Sequence, residues 1–255
     1  ITSEVSTAAR LADGALVVVD AVEGVSAQTR TVLRQAWRDR VKTCLVLNKV
    51  DRLIVELELT PIEAYQRLLK TIEQINAENQ MLLSEDLMAK DAAADSVADP
   101  QDDEGIDLTN TLAFDLEAEK AWSYAPERGN VVFASAMHCW AFRISDFASL
   151  IAVKMGANQN NIQRVLWGDW AFNKKTKRVQ RWDAQVSRGK PMFVEFVLQQ
   201  LYGVYQAAYR TLNLEHLQKM QAQIPAWSSI DLGRLAPGTG AMRELLSRWL
   251  PFAEC

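Results

Sequence analysis

The stretch Thr43-Cys44-Leu45-Val46-Leu47-Asn48-Lys49-Val50-Asp51 decides how the rest of this chain is read. Its first five residues are a short, nearly continuous apolar run. Such a run reads as a strand buried on both faces, the type found in parallel sheets covered by helices. The run passes without a turn into Asn48-Lys49-x-Asp51. Two other runs share its character, Ala15 to Val19 (ALVVV) upstream and Val131 to Ala134 (VVFA) downstream.

Helical patterns connect the three runs. Ser26 can cap a helix with Val32, Leu33, Ala36 and Trp37 on one side and Arg30, Arg34, Arg38 and Arg40 largely on the other. Thr60-Pro61-Ile62-Glu63 is a capping box with proline at the first helical position, followed by the stripe Tyr65, Leu68, Leu69, Ile72 and Ile75. Strands alternating with helices predict βαβ units and an α/β fold with a doubly wound sheet.

Farther along, the pattern predicts a helix over Ser145 to Met155 and a β-hairpin in WAFNKKTKRVQRW, residues 170–182. Further helices are expected over Met192 to Tyr209, over Leu214 to Met220, and in a last segment ending near Trp249.

Composition narrows the class. With 255 residues, 49% of them hydrophobic, the chain can bury a core, and a net charge of −4 is not that of a basic nucleic-acid binder. The charge is unevenly spread. Ser84 to Lys120 carries twelve acidic residues against two lysines, so the remainder is mildly basic. This stretch has few large apolar residues to offset its ordering entropy, and it reads as a mobile acidic insertion with transient helix at its edges.

Cys44, Cys139 and Cys255 are scattered and odd in number, which argues against a disulfide framework and suits a reducing, cytoplasmic setting. Only two histidines, His138 and His216, and no Cys-x-x-Cys leave no metal site to expect; His138 reads as a packed or capping residue. No membrane span is expected, because no run approaches the length of one.

The chemistry is expected beyond the carboxyl ends of the strands, where loops converge in open α/β sheets. Asn48-Lys49-x-Asp51 there is a pattern that reads guanine. The Asp51 carboxylate can accept both the ring N1–H and the exocyclic N2–H of guanine, whereas adenine offers an acceptor at N1 and no amine at C2. Lys49 can lay its stem over the purine face with its ammonium in water, and Asn48 can tie neighbouring loops through its amide. Ser135-Ala136-Met137, directly after the third strand, would present the Ala136 N–H to guanine O6.

Several segments carry a family resemblance. Ala12 to Ala36 (ADGALVVVDAVEGVSAQTRTVLRQA) resembles the stretch that follows the DxPGH motif in translational GTPases of the elongation factor type. Residues 45–77 (LVLNKVDRLIVELELTPIEAYQRLLKTIEQINA), PERGNVVFASAMHCWAF at 126–142, LWGDWAFN at 166–173 and SRWLP at 247–251 resemble the elongation factor two branch. Within it they look most like the elongation factor-like GTPases of ribosome assembly. The resemblance spans nearly the whole chain apart from the acidic insertion.

It implies a P-loop GTPase-type fold, incomplete here, with a smaller inserted α+β subdomain. Residues 1–137 would be the distal part of the GTP-binding domain, with the insertion at 84–120. Residues 138–235 would be the inserted subdomain, and 236–255 the C-terminal helical end of the GTP-binding domain, truncated. Asn48, Lys49, Asp51, Ser135, Ala136 and Met137 would bind the guanine of GTP or GDP.

The departures from the family pattern fall on the phosphate chemistry. The G-x-x-x-x-G-K-[ST] loop, the switch threonine segment and DxPGH are absent, and Ile1 to Arg10 would be the tail of the second switch. Mg2+ is therefore expected in the complete protein only, no catalytic residue is assigned, and the chain alone is expected not to hydrolyse GTP.

The resemblance further implies a parent that drives release of an anti-association factor late in large-subunit (60S) maturation. Its partners would be rRNA, ribosomal proteins and assembly factors, with no sequence-specific DNA binding. Elongation factor two acting in translocation, and a catalytically dead module that docks on the ribosome, are the alternatives. Lys174, Lys175, Lys177, Arg178, Arg181, Arg188 and Lys190, interleaved with Trp170, Phe172 and Trp182, form a basic hairpin. It reads either as a solvated turn with aromatics packed inward or as a ribosome contact.

Overall fold

The computed structural model describes residues 12–95, 119–183 and 189–255. Strands β1 (Gly14–Asp20), β2 (Lys42–Asn48) and β3 (Val131–Ser135) lie side by side in parallel, each on one of the three apolar runs. A fourth strand, β4 (Trp140–Phe142), pairs antiparallel with β3. Trp140 and Phe142 are buried in the core, but three residues are too few to show a strand period.

β1 departs from the expectation of burial on both faces. Val17 and Val19 are buried, whereas Leu16 is 68% exposed and Val18 59%. Among the described residues β1 is the sheet's edge, and one of its faces has no cover. A run of β-branched residues cannot reveal this, since both faces are equally apolar.

Helix α1 (Ala27–Arg38) begins at the Ser26 cap, whose hydroxyl accepts the Thr29 N–H at 3.2 Å while Thr29 answers at the Ser26 N–H. Leu33, Ala36 and Trp37 are buried as expected, but Val32 is exposed. The arginines on and just past its polar side are not simply solvated. Arg30 pairs with Glu78 at 2.7 Å and Arg40 with Asp86 at 2.6 Å, both on α3 (Pro61–Asp95). The Thr60/Glu63 box forms at the start of α3, and Tyr65, Leu68, Ile72 and Ile75 are buried along it. Between α1 and α3 lies the short α2 (Val50–Val55).

α3 runs on into the proximal edge of the acidic stretch, where the sequence reading allows helix. Residues read as the start of a mobile segment at Ser84 are helical through Asp95, because the preceding stripe carries the helix forward and the α1 arginines pair with its acidic flank. The centre of that insertion, 96–118, lies outside the described residues, as do the expected switch tail at 1–10 and Arg188 of the basic hairpin.

Helices α4 (Ile144–Met155) and α5 (Gln159–Leu166) follow, then the expected hairpin of β5 (Trp170–Asn173) and β6 (Arg178–Arg181). A π-helical segment, Val194–Leu198, leads into α6 (Gln199–Ala208), and α7 (Leu214–Gln221) and α8 (Thr239–Trp249) complete the chain. The π segment is not legible in the sequence.

Phe133 of β3 stacks with Phe142 of β4 at 5.3 Å between centroids, and Trp167 and Phe193 close on Phe133 and on Tyr65 of α3. One apolar cluster thus runs from Val17 to Leu250. The core is continuous across positions 138 and 235, where the family resemblance divides the chain. The described helices include none long and apolar enough to cross a membrane.

Candidate functional site

The parallel register places the ends of β1 and β2 together: Asp20 lies opposite Asn48. Each strand ends on a polar residue, Asp20 or Asn48, and releases a loop on the same edge of the sheet. β3 joins them with Leu47 opposite Phe133, so Ser135 and Ala136 emerge beside Asn48.

Asn48 ties these loops. Its Oδ1 accepts the Lys49 N–H at 2.8 Å and the Ala136 N–H at 3.0 Å, while its backbone carbonyl accepts the Ala21 N–H at 2.9 Å. Three strand ends are therefore joined through one residue, in keeping with the tying role expected of its amide. The Ala136 N–H, expected to face guanine O6, is engaged by Asn48 in this arrangement. Reaching O6 would require sharing that hydrogen.

Lys49 adopts a left-handed backbone, φ 63°, which turns the chain sharply from β2 into α2. Its ammonium lies 2.7 Å from Asp20 Oδ2, and its side chain is half exposed. The stem therefore reaches across the edge toward β1 instead of standing free in water. The Asp20 carboxylate raises the Lys49 pKa through this hydrogen bond. Asp20 also accepts the Val22 N–H at 2.8 Å and the Glu23 N–H at 3.3 Å, closing the turn after β1.

Asp51 sits in the first turn of α2 and is 6% exposed. Its Oδ1 has no hydrogen-bond partner among the described residues, and its Oδ2 lies 3.9 Å from His138 Nδ1. A buried carboxylate oxygen without a donor is costly, and a ligand offering N–H groups would relieve it. Guanine supplies two adjacent donors of that kind, so the residues present fit the base.

Ser135 is fully buried, and its hydroxyl accepts the His138 N–H at 3.1 Å. Met137 has an exposed side chain, and its carbonyl accepts from Arg243 Nε of α8 at 2.8 Å. All six residues singled out in the sequence thus belong to one edge of the sheet. Ser135 serves there as loop scaffold, and Met137 contributes its backbone.

Three participants escaped the sequence reading. Asp20 carried a signal, since it ends the first apolar run as Asn48 ends the second. His138 stands behind Asp51 and is 2% exposed, and Arg243 comes from a helix more than a hundred residues later in the chain. Neither has a local pattern that could reveal it. Among the described residues no group of acidic, histidine or cysteine side chains could hold a metal ion.

Comparison with known proteins places this geometry in context. The model of the elongation factor Tu GTP binding domain matches residues 2–221. Ribosome assembly protein 1 of Schizosaccharomyces pombe is 48% identical over 220 residues, covering 86% of this chain and 20% of that protein. Elongation factor-like GTPase 1 of Mus musculus is 37% identical over 256 residues, 99% of this chain and 22% of that protein. Ribosome assembly protein 1 of Saccharomyces cerevisiae is 37% identical over 251 residues, 98% of this chain and 22% of that protein. The chain spans about a fifth of the length of these relatives.

Proposed function

The chain belongs to the elongation factor Tu GTP binding domain family, and from that premise we propose that it is the base-reading part of a GTPase of ribosome assembly. One observation carries the reading: the buried Asp51 carboxylate, whose Oδ1 has no partner among the described residues, at the edge where Asn48 ties three strand ends. Asp51 accepts guanine N1–H and N2–H, Lys49 covers the base while anchored to Asp20, and Ser135, Ala136 and Met137 form the facing loop. Adenine leaves Asp51 facing an acceptor and is rejected.

The chain's own residues do not fit the phosphate and Mg2+ chemistry. They include no G-x-x-x-x-G-K-[ST] loop and, among those described, no candidate metal ligands in a group. We therefore assign base recognition to this chain and phosphoryl transfer to a polypeptide that carries such a loop as well; the chain by itself does not turn over GTP.

The names of the relatives support a parent acting in ribosome assembly; its proposed partners are the large ribosomal subunit and its assembly factors, in the cytoplasm. The finer proposal is that hydrolysis drives release of an anti-association factor, the nucleotide acting as a switch that orders loops in one state and frees them in the other.

The test is equilibrium binding of GDP, IDP and ADP to a polypeptide carrying both this chain and the phosphate-binding segment. GDP is expected to bind tightest, IDP, which lacks the 2-amino donor, more weakly, and ADP least. Equal affinity for ADP and GDP would overturn the base assignment. Co-sedimentation of the same polypeptide with large subunits in its GTP state, and release after hydrolysis, tests the ribosomal part; indifference to the nucleotide would contradict it.

A further inference from the structure

His138 is one of two histidines in the chain, and its ring is enclosed directly behind the base-reading carboxylate. The groups facing it come from four elements, α2, α6 with the residue that follows it, β3 and α8. Asp51 Oδ2 of α2 lies 3.9 Å from its Nδ1, and the Tyr205 hydroxyl of α6 lies 2.9 Å from the same nitrogen. The Tyr205 and Tyr209 rings meet it edge-on at 5.5 and 5.8 Å, Ser135 of β3 accepts its backbone N–H, and Arg243 of α8 repels its charged form.

The Tyr205 oxygen already accepts the Trp140 Nε1–H of β4 at 3.0 Å, so its own proton is available for His138. Donation to Nδ1 places the imidazole proton on Nε2. The ring then offers no proton to Asp51, whose Oδ1 has no hydrogen-bond partner among the described residues.

We propose that His138 is a positioning residue for base recognition, backing the Asp51 carboxylate without occupying it while Tyr205 donates to its Nδ1, and claiming that carboxylate in competition with guanine when it is protonated. The inference rests on the guanine reading of Asp51.

Its sign follows from linkage. Burial lowers the His138 pKa first of all; Asp51 pulls it up, and Arg243 presses it down. The neutral ring therefore prevails at neutral pH. When guanine donates two hydrogen bonds to Asp51, it withdraws the carboxylate that favours His138 protonation, so base binding and proton uptake oppose one another. Guanine affinity is full above the His138 pKa and falls as pH drops through it, on the acid side of the ordinary histidine range.

The experiment measures GDP affinity against pH in the polypeptide carrying this chain and the phosphate-binding segment, for the wild type, His138→Asn, Tyr205→Phe and Asp51→Asn. The nucleotide phosphates ionise identically in every arm and cancel in the comparison. The wild type is expected to lose affinity with a one-proton slope, at most about tenfold per pH unit. His138→Asn should lack that slope. Tyr205→Phe should move the loss nearer to neutrality, because the neutral ring no longer receives a proton from the hydroxyl.

A wild-type slope retained in His138→Asn overturns the inference. Should that variant fail to fold, the His138 imidazole resonances of the wild type titrated with and without GDP decide the matter. A lower midpoint with GDP supports the inference and an unchanged midpoint overturns it. Asp51→Asn separates the two levels: GDP affinity unaffected by that substitution brings down the guanine reading, whereas a large loss there with no His138 effect brings down this inference alone.

Discussion

Lys49 Nζ lies 2.7 Å from Asp20 Oδ2, so the residue that turns β2 into α2 is fastened to the residue that ends β1. The contact binds two loops of the same edge and holds the Lys49 stem across that edge toward β1. Burial would raise the Asp20 carboxyl, but the Lys49 ammonium and the Val22 and Glu23 amides outweigh it and hold the carboxyl below its ordinary value.

A group whose folded pKa is depressed contributes stability above its unfolded value and loses it as pH falls through the folded one. Thermal melts of the chain from neutral pH down through the carboxylate range should therefore show Asp20→Asn less stable than the wild type at neutrality. The two curves should converge in acid. A constant gap across that range would show that Asp20 acts by shape alone.

The Ser26 cap carries the second prediction. Ser26→Ala removes the acceptor of the Thr29 N–H and the hydroxyl contact between Ser26 and Thr29, while the bond from the residue 26 N–H to Thr29 remains. It is expected to destabilise the chain by about 1 kcal/mol, read from the urea midpoint at unchanged slope. Ser26→Asp, which keeps an acceptor, should lose little.

Phe133→Ala is expected to cost about 3–5 kcal/mol, a large share of the stability of a domain this size. Phe133 is fully buried and meets Phe142, Trp167 and Phe193, so its removal opens the junction between the sheet and the second half of the chain. Denaturant unfolding checks it. If the sheet and the later helices were separate cores, the loss would be confined to one of two transitions; the continuous cluster predicts a single shifted one.

The parallel sheet and the polar edge that gathers the singled-out residues were legible because their signals are local. Leu45 to Leu47 followed by Asn48 and Asp51 states a buried strand and a polar edge in seven residues. What stayed hidden depends on distant partners. Nothing near His138 announces that Tyr205, 67 positions away, will hold its ring. Nothing near Leu16 and Val18 says that one face of β1 lacks cover among the described residues, since an apolar run looks alike from both sides. The π segment at Val194–Leu198 breaks no composition rule, and β4 is shorter than any detectable period.

The basic hairpin yields the fourth prediction, with a refinement from the structure. Lys174 pairs with Glu195 at 2.7 Å, and Arg181 stacks over the Trp170 ring at 4.3 Å, so part of the charge is engaged within the chain. Lys175 and Lys177, exposed in the turn, are the better probes. Lys175→Glu with Lys177→Glu should weaken co-sedimentation of the parent polypeptide with large subunits, most clearly at low salt, where exposed charges are least screened. Unchanged binding at low salt would return the hairpin to the role of a solvated turn.

The central claim is that the Asp51 carboxylate reads the two donors of guanine. Competition between GDP and XDP for the Asp51→Asn variant of the parent polypeptide tests it most directly, because an amide NH2 complements the extra carbonyl of xanthine. The account predicts that GDP affinity falls by about 100-fold while XDP becomes the preferred nucleotide. A variant that still prefers GDP, with affinity equal to the wild type, would contradict it.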